Sequence, residues 1–301
     1  MKIKSSLALG AVALAAPLLT SCLGDGDDNR EQTLVYNIVN LVTPSDADVK
    51  PYMSTGTYSF YLKGSNLTVS TADLMLGTSK SSFVTGETPY TQTVSALGTV
   101  ISFTGCSGNV NQDSSLPLNN FSGRITSAVY YISTVVPGIT GIATPTPIPV
   151  LKYNIGNEYT VRTFCRDAYY AGTTTTHYTD KDGNAGSFEN KEIVYRAVID
   201  VEKMTADVVI YNAQFAPQQP QKITAMVLKS LPVETMANGY RITGEDIIPE
   251  VVEGAATTPN PNYPFKKFSM TTTSDNLDQV AMEFNVGDRY HGMFNGVYCL
   301  F

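Results

Sequence analysis

A chain of 301 residues with 43% hydrophobic and 16% charged content can fill packed cores, which excludes an intrinsically disordered polymer. A formal net charge of −7, without a cluster of Lys and Arg, excludes the phosphate-neutralising surface that nucleic-acid binding requires. The length suits two domains of average size. Thr, Ser, Asn and 18 Tyr stand where helical proteins place Lys and Glu, so the expected class is all-β, since branched and aromatic side chains pack on a pleated surface.

The chain opens with Lys2 and Lys4 before an apolar run from Leu7 to Leu19, too short to span a bilayer and suited to a secretory h-region. No later stretch approaches membrane-spanning length. The run ends in Leu19, Thr20, Ser21 and Cys22, and this ending resembles the bacterial lipobox, in which a cysteine follows both the apolar run and a small residue. The resemblance implies that residues 1–21 are a lipoprotein signal peptide and that Cys22 is acylated, with palmitate among its chains, to become the first mature residue. At about 0.8 kcal/mol per buried methylene, several acyl chains on one residue hold a protein to a membrane almost permanently.

Asp25, Asp27 and Asp28 follow at once, within a short segment spanning 22–32. An acidic cluster after the acylated cysteine resembles the export signal of surface lipoproteins in Bacteroides-type bacteria, which implies a lipid-anchored place on the outer membrane, facing the cell surface. The same charges also read as a solvated tether whose self-repulsion keeps the body off the lipid.

The folded body is expected from residue 33, where TLVYNIVNLV reads as a first strand. YSFYL at 58–62, ADLML at 72–76 and TVISF at 99–103 follow, separated by turn clusters rich in Gly, Ser, Asn and Pro. Short strands at this spacing predict antiparallel sandwich or barrel-like domains, and no long amphipathic helix is evident. Pro137, Pro145, Pro147 and Pro149 mark the run 135–150 as an expected connector between an N-terminal β-domain at 33–150 and a C-terminal one at 151–301. An internal repeat fits two domains: Tyr61 to Leu76 and Tyr195 to Ile210 share a leading Tyr and the triplet Thr-Ala-Asp at one offset. If the repeat is real, each half carries the same hairpin.

The C-terminal half reads as ITAMVL, a predicted hairpin at Asn238-Gly239, where both residues tolerate positive φ, and closing strands QVAMEFNV and MFNGVYCLF. The stretches ADVVIYNAQFAP (206–217), LPVETMANGYRITGEDIIP (231–249) and VAMEFN with FNGVY (280–298) resemble calycin-like, or lipocalin-like, domains of Bacteroides-type lipoproteins. That resemblance implies barrel-like domains that bind a ligand.

Chemistry is sparse. His177 ends the run TTTTH in a predicted loop, and His291 stands elsewhere without a spaced His or Glu partner, so no metal site is expected. Cys106, Cys165 and Cys299 allow one disulfide plus a free thiol, or three buried thiols. Cys106 has no neighbouring base to activate it. Asp180-Lys181-Asp182-Gly183-Asn184 with Glu189 is similar to a calcium loop, but Ala185 and Lys191 occupy its Gly and bidentate-acid places, so a hairpin turn is expected instead. Tyr130-Tyr131 and Tyr169-Tyr170 offer ring faces to a sugar, although alternation sends one of each strand pair inward.

No catalytic residue or cofactor emerges from these patterns. The expected function is that of a non-enzymatic, membrane-anchored lipoprotein binding a small-molecule, glycan or protein ligand at the cell envelope. Two alternatives remain open: a glycan-binding accessory protein of an uptake system, and a structural subunit similar to fimbrillins, with the strand at 33–42 as an exchangeable element. An envelope enzyme would instead need clustered carboxylates with one raised pKa.

Overall fold

Strands dominate the computed structural model, which describes residues 31–95, 98–128, 148–219, 222–254 and 256–299. The first nine are β1 (Glu31–Pro44), β2 (Tyr52–Lys63), β3 (Asn66–Leu76), β4 (Ser79–Val84), β5 (Thr88–Ser95), β6 (Gly98–Thr104), β7 (Leu118–Ala128), β8 (Ile148–Ile155) and β9 (Tyr159–Phe164). They pair in the order β2, β1, β9, β8, β7, β6, β5, β3, and β2 pairs with β3 to close an eight-stranded barrel, while β4 extends β3 outside the ring.

The remaining strands are β10 (Asp167–Thr179), β11 (Ala185–Asn190), β12 (Val194–Asp200), β13 (Thr205–Ala213), β14 (Ile223–Met236) and β15 (Gly239–Ile247). After them come β16 (Glu250–Glu253), β17 (Ala256–Pro259), β18 (Phe265–Thr272), β19 (Gln279–Val286) and β20 (Tyr290–Cys299). Eight of these close a second barrel, in which β20 returns to β10 and β13 pairs with β14. The chain is therefore all-β with two closed antiparallel barrels, and closure removes the unpaired edges that a sandwich would have to protect.

The change of barrel falls between Phe164 and Asp167, not at residue 150. Both β8 and β9 pair within the first ring, so the Pro-rich run at 135–150 joins two neighbouring strands of one barrel and is not a connector between domains. Its residues 135–147 lie outside the described residues, whereas Ile148, Pro149 and Val150 begin β8. The first strand, the element named for the fimbrillin-like alternative, is paired on both sides. It pairs with β2 from Glu31 to Val42 and with β9 from Val39 to Pro44.

The Thr-Ala-Asp repeat falls on equivalent strands, since β3 and β13 are each third in their ring. Both triplets sit at a break in strand register. Asp73 there accepts the Thr57 backbone N–H at 2.7 Å, and Asp207 accepts that of Ser230 at 2.8 Å. A bulge leaves backbone donors without a ladder partner, and a short carboxylate satisfies one of them. The surrounding turns do not align, because β2 turns at 64–65 and β12 at 201–204.

The predicted Asn238-Gly239 hairpin forms, but by other means. Met236 pairs with Gly239, so the turn residues are Ala237 and Asn238, and neither takes positive φ. Gly239 is required for space: a Cβ there would stand 1.9 Å from Thr272 Oγ1, which accepts the Tyr240 N–H at 3.0 Å.

Aromatic rings fill the first barrel. Phe121 stacks on Tyr153 with centroids 4.7 Å apart, and Phe83 meets both edge-on at 6.0 and 5.5 Å. The buried Tyr58 hydroxyl is satisfied by Asn40 Oδ1 and by the Tyr153 hydroxyl, each at 2.7 Å. The second barrel mixes rings with flexible thioethers: Tyr195 lies 4.5 Å from Phe294, Phe265 lies 5.6 Å from Phe284, and Met226, Met270 and Met282 are buried in the same core. In both barrels a glycine makes room for a facing ring. A Cβ at Gly123 would stand 2.2 Å from Phe103, and one at Gly292 2.3 Å from Phe284. Side chains thus occupy the interior of both barrels.

Candidate ligand groove and the chemistry around it

The two barrels meet along an apolar seam with a polar margin. Val39, Leu41, Met53 and Phe164 of the first barrel belong to the core of the second, and Phe164 stacks on Tyr240 with centroids 4.9 Å apart. Around this seam the tip of the β14–β15 hairpin and the loop after β18 dock on the first barrel. Thr43 Oγ1 donates to Ala237 O at 2.9 Å, and Thr235 Oγ1 donates to Pro51 O at 2.6 Å. Arg162, only 7% exposed, donates to Asp275 Oδ1 at 2.7 and 3.0 Å and to Asn238 Oδ1 at 3.2 Å. Lys152 also pairs with Asp275, and Arg124 with Asp278 at 2.7 Å. Asp275 is held below the usual carboxylate range by Lys152 first and Arg162 next. Burial pushes Asp278 upward, but the Ser274 hydroxyl and Arg124 outweigh it and leave a net lowering.

Beside this seam lies a groove of roughly 620 Å³ between the barrels, a size typical of small-molecule sites. It is lined by Asn37, Val39 and Thr55 from the first barrel and by Arg166, Val198, Asp200, Lys203 and Asp207 from the second. Asp200 closes the 201–204 turn by accepting the N–H groups of Glu202 and Lys203 and pairing with Lys203 Nζ at 2.6 Å. Asp207 is engaged at its bulge, as described above. The Arg166 guanidinium has no ion pair among the described residues. The groove therefore presents one open cation within a mainly polar lining that includes Val39 and Val198. Arg166 was not legible as a site residue, because nothing local in Cys165-Arg166-Asp167 marks a junction between barrels.

Cys22, Asp25, Asp27 and Asp28, the sequence-derived lipid and export residues, lie outside the described residues, as do Tyr130 and Tyr131. Tyr169 and Tyr170 divide as alternation requires. Tyr170 is buried, with its hydroxyl 3.1 Å from that of Tyr240, whereas Tyr169 faces out. The outward ring stacks against Tyr211 at 6.3 Å and lies under Arg196 at 5.3 Å. Arg196 is anchored in turn by Asp167. Tyr169 thus spends its ring on neighbours in the same barrel.

Asp180 serves the hairpin turn: Oδ1 accepts the N–H groups of Asp182 and Asn184 at 2.8 Å, and Oδ2 accepts Asn184 Nδ2 at 3.0 Å. Glu189 lies in β11 opposite Thr175. Cys106 and Cys165 are free thiols, each pushed upward by burial, Cys165 to about 11. His177 stands in β10 and not in a loop, directly opposite His291 of β20. This corrects the expectation that the two histidines occupy unrelated settings.

Among solved structures the chain is similar to transferrin-binding proteins B. The intact transferrin-binding protein B designated Ap-TbpB, with N and C lobes, shares 9% identity at a TM-score of 0.27, covering 92% of this chain and 80% of that one. The isotype 1 protein of serogroup B Neisseria meningitidis shares 8% identity at a TM-score of 0.27, covering 91% and 78%. A single-residue mutant of the transferrin-binding protein B of Haemophilus parasuis Hp5 shares 7% identity at a TM-score of 0.26, covering 90% of this chain and 78% of that one. No family model and no curated protein matches the chain.

Proposed function

We propose that the chain is a non-enzymatic lipoprotein of the cell envelope, acylated at Cys22, carried to the outer membrane surface under the direction of Asp25, Asp27 and Asp28, and binding its ligand on the outside of two filled barrels. The observation that carries the reading is the lipobox-like ending Leu19, Thr20, Ser21, Cys22 behind a short apolar run. The groove between the barrels is the binding site that geometry favours, with Arg166 as the group to meet an anionic or strongly polar part of the ligand.

Metabolic labelling with a palmitate analogue tests the anchor: wild type takes up label and pellets with membranes, and Cys22→Ala does neither. Persistent labelling of that variant overturns the anchor. Protease treatment of intact cells tests the address, with wild type cleaved and an Asp25/Asp27/Asp28→Ala variant protected. Protection of both assigns the aspartates to the tether and the ligand to the periplasm.

A further inference from the structure

The chain has two histidines, and they are direct cross-strand partners on β10 and β20. Their rings are nearly parallel, 13° apart, with centroids separated by 6.4 Å. Both project from the outer face of the second barrel. Thr174 and Thr176 are buried, so alternation turns Thr175 and His177 outward, and the buried Phe294 sets the same phase for His291.

His291 is oriented by a neighbour. Its Nδ1 lies 2.8 Å from Asn285 Oδ1, on the adjoining strand and in direct register. A carbonyl oxygen accepts, so in the neutral imidazole Nδ1 carries the proton and Nε2 the lone pair. Metal-binding imidazoles are held in this way, by an acceptor at the second ring nitrogen that sets tautomer and angle. The His177 ring has no hydrogen bond among the described residues, which leaves it free to swing towards Nε2 of its partner. One step along the sheet, Glu189 faces Thr175 and Glu283 faces Met293, and these diagonal positions lie about 7–8 Å from the imidazole pair. Their charge favours a cation. Both imidazoles line a hollow of roughly 580 Å³ that Lys266 and Arg289 also line, and Lys266 is turned to Asp246 at 3.4 Å.

We propose that His177 and His291 together bind one divalent transition-metal ion, of the Cu²⁺, Ni²⁺ or Zn²⁺ class, through two imidazole nitrogens. Imidazole suits these ions, and Cu²⁺ binds tightest in the usual order. Among the described residues no three His, Cys, Asp or Glu side chains converge. The two imidazoles are therefore the protein's own ligands, and the other positions are open to water or to a donor from a bound molecule. Local pattern hides such a site, because its ligands are separated by more than a hundred residues and meet through sheet register.

The test is calorimetric titration of the purified full-length protein with Cu²⁺ and with Ni²⁺, joined to electron paramagnetic resonance of the Cu²⁺ form. One equivalent of ion with two coordinated nitrogens is expected. His177→Ala and His291→Ala should each weaken binding at least tenfold and reduce the nitrogen count to one. Asn285→Ala should weaken it about tenfold while keeping both nitrogens, as the loss of an orienting partner does. Unchanged binding in the His177→Ala/His291→Ala double variant, or a spectrum with fewer than two nitrogens in wild type, overturns the proposal. His177→Gln and His291→Gln serve if either alanine variant lowers the melting temperature. None of these readouts depends on Cys22 or on the envelope address.

Discussion

In the first barrel the seam between β3 and β5 rests on two residue pairs, Asn66 with Pro89 and Leu67 with Thr88. The seam of the second barrel, between β13 and β14, carries seven pairs across a bulge. The first barrel supplements its short ladder with side chains: Thr85 Oγ1 accepts the Val69 N–H at 2.9 Å, and Phe83 on the added strand β4 enters the core. One barrel is thus closed mainly by backbone pairing and the other partly by a plug. A meander tolerates either solution because each still hides its apolar face and leaves no long unpaired edge.

Removing the plug should produce the largest effect. Phe83→Ala is expected to lose about 3–5 kcal/mol in urea unfolding and to speed amide exchange selectively at Leu67 and Val69. Phe284→Ala should lose a similar amount without opening the β13–β14 seam. Equal exchange at both seams would break the contrast. Next in size, Gly123→Ala and Gly292→Ala should each cost about 1–3 kcal/mol through overpacking against Phe103 and Phe284. Pairing Gly123→Ala with Phe103→Leu should recover part of that loss, which sharpens the assignment of the clash.

Between the barrels, Asp275→Ala leaves the buried Arg162 guanidinium short of its main acceptor. A cost of about 1–3 kcal/mol follows from the unsatisfied donor, read as earlier protease cleavage at the barrel junction. The pH dependence has a definite sign. Asp275 and Asp278 are lowered in the folded state, so their stabilisation is complete above the ordinary aspartate range near pH 4 and is lost as pH falls through their lowered values. Docking should loosen in acid in the wild type, and an Asp275→Asn/Asp278→Asn variant should show a flatter acid limb. The smallest effect is expected at the exposed pair of Lys266 with Asp246, 3.4 Å apart, where Asp246→Ala should change stability by less than about 0.5 kcal/mol.

Strands with clean alternation were legible residue by residue. QVAMEFNV coincides with β19, and YSFYL sits within β2, where Tyr58 and Phe60 point inward. His177 was misplaced because TTTTHYT precedes an Asp-Gly-Asn turn and offers no apolar alternation, yet its threonines form a strand by pairing on both sides. The Pro-rich run was misassigned because proline reports the absence of a ladder donor and says nothing about which sheet the flanking strands join. At Gly239 the hairpin was legible and its cause was not, since the space beside Thr272 depends on β18.

The sequence by itself determined the all-β class, most strands, the chemistry of individual turns and the lipobox-like start, because each depends on residues a few positions apart. Barrel closure, the junction after Phe164, the clasp of Arg162 on Asp275 and the meeting of His177 with His291 were decided by tertiary structure. Each joins residues far apart in the chain, and their pairing follows from sheet register and core filling, which no local pattern encodes.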